Sequence, residues 1–366
     1  FDLPQISFGG LASGLDTNAI ISSLVSVESI PITLMKKGVS GYESKVTQFD
    51  KFKTYLKAFQ SAAQDLKDAS DFNVFSVASS NESIATATSS SSGSLGSYNL
   101  EVMKLAKAGQ EISENLADKN TTQHGSGIIT LSVGGEAKEV TIEEGSETLA
   151  DIAAAVSSAD AGVTASIIND GSASPYRLVV TSDDTGLANA LSVDLSGLNV
   201  SGGDVALADF TTLQDADDAS FKLMGLTMSR SSSTVTDAVE GLAITLKGTT
   251  ELDTPITLSV ERDTESLTGK FQAYVDAYND VNKFFNNQSK YNETTESGGV
   301  LTGESLLRSM QTKLQMLLTP SWSTGADAPE MQILAQAGIT FENDGSLKLD
   351  TGELESALGS NFEDVV

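Results

Sequence analysis

Two apolar seams with coiled-coil spacing stand at opposite ends of this chain, and everything between them has a different texture. The first runs Met35, Val39, Tyr42, Val46, Phe49, Phe52, Leu56, Phe59, Ala63, Leu66, in steps of four and three with one three-residue stammer at Phe49–Phe52. The second runs Leu267, Phe271, Tyr274, Tyr278, Val281, Phe285 without interruption. Such spacing gathers apolar side chains on one stripe of a helix, and a stripe of this kind must be buried against another. The seam Leu267–Phe285 is therefore expected to close on Val46–Leu66. The predicted core of that pairing is Val46, Phe49, Phe52, Leu56, Phe59 and Leu66 facing Leu267, Phe271, Tyr274, Tyr278, Val281 and Phe285. Each such side chain contributes about 1.5–3 kcal/mol when buried. The chain thus leaves a helical domain, builds something else, and returns to complete it.

The inserted middle reads as β structure. Ile84–Thr88 and Tyr98–Val102 alternate around the Ser/Gly loop Ser89–Ser97. Ile128–Val133 and Ala137–Ile142 alternate around Gly134-Gly135, a two-residue hairpin turn. Thr148 with Asp151 forms a capping box for a helix over Leu149–Val156, and strands follow at Val163–Ile168 and Tyr176–Thr181. Further strands are expected at Phe221–Met224, Leu226–Ser229, Leu242–Leu246 and Ile256–Val260, with a short turn at Val235–Val239. After the second seam, Leu307, Met310, Leu314 and Leu317 mark a helix stopped by Thr319-Pro320. A tight hairpin around Asn343–Leu347 and a helix capped by Asp350 and Glu353 complete the chain. The fold class expected is α+β and multidomain: a helical coiled-coil leg from both chain ends and a β-rich head of two small domains from the middle. The boundaries are a terminal segment at 1–40, the leg at 41–106 with 263–366, one head domain at 107–200 and a second head segment at 201–262. Whether the second head segment encloses the first is open at this level.

The first residues pose a separate question. Ile6–Met35 reads ISFGGLASGLDTNAIISSLVSVESIPITLM, a glycine-punctuated apolar loop that turns helical at Asp16. Ile20, Leu24 and Val27 fall on one side of that helix, with Ile21 and Val25 widening the stripe. Pro31 suits the first turn of a second helix, and Gly38 and Gly41 soften its start, which predicts a hinge there. Lys36, Lys37, Lys45, Lys51, Lys53 and Lys57 lie along the same stretch, as a solvated face or as an attraction toward acidic surface on a neighbour.

Formal net charge is −28 over 366 residues, and Gly109–Arg262 holds 24 Asp/Glu against 7 Lys/Arg. Nucleic acid and anionic membrane surfaces are repelled by such a chain. There is no cysteine, so disulfides and thiolate chemistry are excluded. FDLPQ lacks the basic start of a secretory signal, and no apolar run long enough to span a bilayer is expected. The lone histidine, His124, sits in a polar loop and is expected to be solvated. No Gly-x-Ser-x-Gly elbow or phosphate loop accompanies it. Asp183-Asp184 and Asp215-Ala216-Asp217-Asp218 could hold calcium only weakly, and the Gly345 hairpin fails as an EF-hand because its twelfth position is Thr351. No enzyme activity, cofactor or metal is expected.

The run Gly10-Leu11-Ala12-Ser13-Gly14-Leu15-Asp16, followed by an apolar helix, Glu28 and Pro31, resembles the N-terminal signature of the flagellar filament cap family, also called hook-associated protein 2. TLADIAAAV, VTASIIND and YRLVVTS, within Gly127–Leu195, are similar to the flagellin hook IN motif. FQAYVDAYNDVNKFF, LTGESLLRSMQTKL and AGITFENDGSLKLD continue the likeness to the end of the chain. The resemblance implies a non-enzymatic, homo-oligomeric ring, a pentamer by family likeness, at the distal tip of the bacterial flagellum. Flagellin is the implied partner, with an export chaperone and host surface ligands as further ones, and no nucleic acid or membrane insertion. Export would use the flagellar secretion system without a cleaved signal. The contacts to filament and neighbouring subunits would come from Phe8, Leu11, Leu15, Ile20, Ile21, Leu24 and Val27. The family continues into a long C-terminal helix beside the N-terminal one, so within Phe1–Val366 the stripe is expected to lack a partner. The alternatives are a hook–filament junction protein or flagellin relative, which shares helical ends and the IN unit, and a surface adhesin built on the β head.

Overall fold

The computed structural model describes residues 16–201, 204–289, 291–292, 297–318 and 333–366. The chain divides into two units, the residues up to Phe72 with Thr264–Val366, and Asn73–Asp263. Helix α1 spans Thr17–Gln64 and begins at Asp16, whose carboxylate accepts the Ala19 N–H at 2.9 Å. Pro31, Gly38 and Gly41 all lie inside it, so the expected pair of helices with a hinge is one continuous helix. Pro31 removes one hydrogen bond, to the Val27 carbonyl, at a cost of about 3 kcal/mol, and each glycine costs about 1 kcal/mol. Helix propagation across an interruption is favoured over re-nucleation beyond it, so the helix runs through. It ends at Gln64, which leaves Leu66 half-buried just past its last turn.

The inserted unit holds β1 (Phe75–Ser79), β2 (Ala85–Ser89), β3 (Gly96–Lys104), β4 (Gln110–Ile112), β5 (Ser126–Val133), β6 (Glu136–Ile142), α2 (Leu149–Ser158), β7 (Val163–Asn169), β8 (Tyr176–Ser182) and β9 (Leu191–Asn199). It continues with β10 (Thr211–Gln214), β11 (Ala219–Leu223), β12 (Leu226–Arg230), β13 (Thr234–Val239), β14 (Leu242–Leu246) and β15 (Ile256–Arg262). One five-stranded sheet runs β1-β15-β3-β11-β12 and a three-stranded one β13-β14-β2. Together they bury a core that includes Leu100, Phe221, Ile244 and Leu258. A four-stranded sheet β10-β4-β8-β7 and a three-stranded sheet β6-β5-β9 bury a second core, with Ile129, Leu131, Leu149, Ile152 and Leu178 in it.

The pairing corrects the expected boundaries. β3 and β11 are antiparallel neighbours, with Leu100 opposite Leu223 and Val102 opposite Phe221, and the whole of β4–β10 is threaded between them. Residues 75–104 therefore belong with 219–262 rather than with the helices, and 201–214 belong with the enclosed block, since β10 pairs with β4. The segment expected as a turn, 235–239, is strand: Val235 opposes Ile244 in β13–β14. Gly134 and Gly135 both have positive φ, 62° and 87°, as the turn between β5 and β6 requires. Thr148 and Asp151 form the reciprocal cap of α2.

The chain then returns to helix: α3 (Thr264–Ser289), the short pair β16 (Tyr291–Asn292) and β17 (Ser297–Gly298), α4 (Ser305–Leu318), the hairpin β18 (Ile339–Phe341) and β19 (Leu347–Leu349), α5 (Thr351–Ser360) and α6 (Phe362–Val365). The stop at Thr319-Pro320 lies outside the described residues. α3 holds the hairpin through a polar stripe. Tyr278 donates its hydroxyl to the Gly345 carbonyl at 3.1 Å, Asn279 donates to Leu347 O at 2.8 Å, and Asn282 donates to Asp344 O at 3.2 Å.

Candidate functional site

The helical core forms where α1 meets α3. Phe52 is 4% exposed, stacks on Phe284 at 5.3 Å between ring centroids, and lies 5.2 Å from Phe285. Phe49, Leu56 and Phe59 pack around this cluster with Val281, and Phe59 meets Tyr274 and Tyr278 at 5.1 and 5.8 Å. Leu267 is fully buried, and Phe271 packs on Phe72 at 6.0 Å. Burial pushes the phenols of Tyr274 and Tyr278 up to about 12. Leu307, expected as part of a helix stripe, completes the cluster together with Tyr55, Phe284 and Leu301, which were not singled out from the sequence. Tyr55 and Phe284 follow the seam positions Phe52 and Val281 by three residues. A helix that meets neighbours on two sides buries a stripe wider than a two-position seam.

Val46, expected in this core, is 60% exposed, and the seam residues before it, Met35, Val39 and Tyr42, are exposed as well. The reason is length. At 1.5 Å per residue the 48 residues of α1 extend about 72 Å, whereas the 26 of α3 extend about 39 Å. Near the limit of α3, Gln288 donates to Gln48 at 3.2 Å, and beyond it Lys45 reaches Glu304 at 2.8 Å. N-terminal to that point nothing among the described residues covers the helix.

From Ile20 to Val46 every large apolar side chain is exposed, from 47% at Ile20 to 72% at Tyr42. Ile20, Ile21, Leu24 and Val27 are all in this stretch, while Phe8, Leu11 and Leu15 lie outside the described residues. Met35 and Tyr42 lie seven apart in line with Phe49 and Leu56 of the covered half, and Val25, Ile32, Val39 and Val46 form the companion row, so the apolar register of the covered half is carried on through the uncovered half. The lysines Lys36, Lys37, Lys51, Lys53 and Lys57 make no ion pair among the described residues. The expectation that no membrane-length apolar run occurs is overturned: α1 contains an 18-residue window long and apolar enough, by length and composition, to cross a bilayer. Ser22, Ser23, Ser26, Glu28, Ser29 and Thr33 are interspersed in it.

His124 is fully buried rather than solvated, because its Nδ1–H donates to the Val205 carbonyl at 2.8 Å inside the second β core's loop cluster. Among the described residues no group of three or more His, Asp or Glu is placed to hold a metal ion. Six carboxylates, including Glu101 and Asp118, sit below the usual range through hydrogen bonds from side chains and backbone, Lys222 leading for Glu101 and the Thr121–Thr122 turn for Asp118. Asp118 and Asp170 hold their own loops, whereas Glu101 with Lys222 joins the paired strands β3 and β11, and Asp237 with Arg230 joins β13 to β12.

Comparison with known proteins adds names to this geometry. Residues 13–109 match the model of the flagellar hook-associated protein 2 N-terminus, 216–366 that of its C-terminus, and 129–184 the flagellin hook IN motif. The chain is 31% identical over 382 residues to flagellar hook-associated protein 2 of Escherichia coli K12, covering 97% of this chain and 78% of that protein. To the B-type flagellar hook-associated protein 2 of Pseudomonas aeruginosa it is 30% identical over 345 residues, covering 88% and 71%. The crystal structure of the D1-D2-D3 domains of the E. coli flagellar cap protein FliD superposes with a TM-score of 0.68 at 31% identity, covering 87% of this chain and 88% of that one.

Proposed function

The chain belongs to the flagellar hook-associated protein 2 family, and from that premise we propose that it caps the flagellar filament, assembling at the distal tip and guiding exported flagellin into place. The observation that carries the reading is the uncovered apolar half of α1, Ile20 to Val46. An exposed apolar surface of this extent marks an interaction site. Its heptad register suits helical partners, and flagellar assembly offers these in flagellin and in neighbouring copies. The protein acts as a homo-oligomeric ring outside the cell, delivered by the flagellar secretion system. Ile20, Ile21, Leu24 and Val27 make the contacts to filament or neighbour, with Phe8, Leu11 and Leu15 continuing them toward the chain start.

The test replaces Ile20, Leu24 and Val27 together with Ser. This removes about 5 kcal/mol or more of available apolar burial, at about 1.5–3 kcal/mol per side chain. None of the three belongs to a core of either unit, so the fold survives. The expected result is variant protein in the medium, flagellin leaking beside it, and short or absent filaments. Variant protein held in the cytoplasm would mean that the stretch is an export signal instead. Normal motility with full-length capped filaments would overturn the role of the helix.

A further inference from the structure

A groove in the helical unit carries more hydrogen-bond donors than the unit satisfies. It is a cavity of about 230 Å³ between α1 and α3, lined by Gln48, Lys51 and Tyr55 on one side and Lys283, Phe284 and Asn287 on the other, with Asp280 at its edge. Its floor is aromatic, the Tyr55 ring lying 6.0 Å from that of Phe284. Lys51 and Lys283 are exposed and make no ion pair among the described residues, not even with Asp280, and the Tyr55 hydroxyl makes no hydrogen bond there. Two ammonium groups and a phenol over an apolar floor suit a carboxylate carried on a side chain with a methylene stem.

The chain as a whole is strongly acidic at −28, so two copies repel unless their contact brings opposite charges together. Asn73–Asp263 holds 27 Asp/Glu against 9 Lys/Arg, and β6 is an edge strand. At and just after it Glu136, Glu139, Glu143 and Glu144 are exposed, with no ion pair among the described residues. We infer that the Lys51–Lys283 groove of one copy takes the acidic β6 edge of a second copy. The two surfaces differ, so the contact is head-to-tail, the kind that closes into a ring when its rotation allows. The inference rests on the oligomeric reading above and supplies the pairing of its subunits.

The experiment is sedimentation equilibrium on the full chain. The parent should associate at about 0.05 M salt and weaken at least tenfold by about 0.5 M, since exposed charge contacts are screened over that range. Lys51→Glu with Lys283→Glu should weaken association at least tenfold at low salt. So should Glu136→Lys, Glu139→Lys, Glu143→Lys and Glu144→Lys together. An equimolar mixture of the two variants should associate again, because each groove then finds a surface of opposite sign. Circular dichroism matching the parent excludes misfolding of either variant. The inference is overturned by salt-independent association, by a parent monomeric at both salts, by variants that associate like the parent, or by a mixture that stays apart. Filament capping lost only in the Ile20/Leu24/Val27 variant, with these results negative, would leave the capping reading intact and remove this one.

Discussion

Replacing Phe52 with Ala tests whether the two ends of the chain are held together where the packing indicates. The ring is 4% exposed, stacked on Phe284 with an interplanar angle of 21° and tilted against Phe285. Its burial contributes about 1.5–3 kcal/mol, and each aromatic pair adds about 0.5–1.5 kcal/mol. The cavity left behind keeps the total near the roughly 3–5 kcal/mol found for such truncations. For a unit of this size each kcal/mol shifts the melting temperature by about 2–4 °C, so a drop of roughly 10 °C is expected. Far-UV circular dichroism at the helical band follows it, since α1 and α3 supply most of the helix. Phe52→Leu fills most of the volume and should recover much of the loss. Amide exchange in β5 and β14 should stay as in the parent, because neither β core contains a residue of this cluster. A Phe52→Ala protein that melts within about 1 °C of the parent would refute the assignment, as the burial and stacking terms could not then both be present.

Three further outcomes follow from particular groups. Gly38→Ala and Gly41→Ala should each raise the helicity and stability of α1 by about 0.5–1 kcal/mol, because a Cβ at either position meets nothing within 4 Å. Unchanged or lower helicity by circular dichroism would show that these positions depart from helix in solution. The raised phenols of Tyr274 and Tyr278 stabilise the helical unit below pH 10, and that contribution is lost as pH rises from about 10 to about 12. Urea midpoints across that range should fall, and less steeply for Tyr278→Phe; equal slopes would contradict this. Glu101 is held below the usual range by Lys222 Nζ at 3.0 Å and by the Asp253 N–H, so its contribution is present above about pH 4.3 and lost as pH falls through its lowered folded value. Glu101→Gln should flatten that limb of the acid unfolding curve, and a variant with the parent's acid limb would rule the pair out as its source.

The helical seams were legible because a period is a local property of sequence and survives whatever lies between. Phe52, Phe59, Leu267, Tyr278 and Phe285 could be placed from spacing alone. Val46 could not, since its exposure depends on where α3 ends and not on its own neighbours in sequence. Pro31, Gly38 and Gly41 misled in the other direction. They are local breakers, and propagation along a 48-residue helix outweighs them. The nesting of the two β blocks was illegible for a third reason: β3 and β11 pair across the intervening β4–β10, and alternation gives a strand its faces but no partner. The candidate surface at Ile20–Val27 was readable as apolar. Its lack of a partner was expected from the family likeness, whereas the reach of the uncovered stretch as far as Val46 depends on where α3 stops short.

That shortfall has a consequence for how the helical unit closes. Every α1–α3 contact spans the inserted unit, and bringing Phe52 to Phe284 in an unfolded chain carries the closure entropy of the entire insert. The two ends of the insert are tied together once it folds, Asp263 N–H donating to the Val74 carbonyl at 2.9 Å beside the β1–β15 pair. The effective loop then shrinks from the whole insert to the short arms on either side, which lowers the closure cost by about 1.5 kcal/mol on logarithmic scaling. From the unfolded state the chain is thus favoured to build its β unit first and then zip α1 onto α3, starting from the residues nearest the insert. Zipping runs from Phe72 and Phe271 toward Phe52 and Phe285 and stops where α3 stops. Whatever completes the remaining turns of α1 must come from beyond the segments described, and a helix with an apolar seven-residue register is ready to receive it.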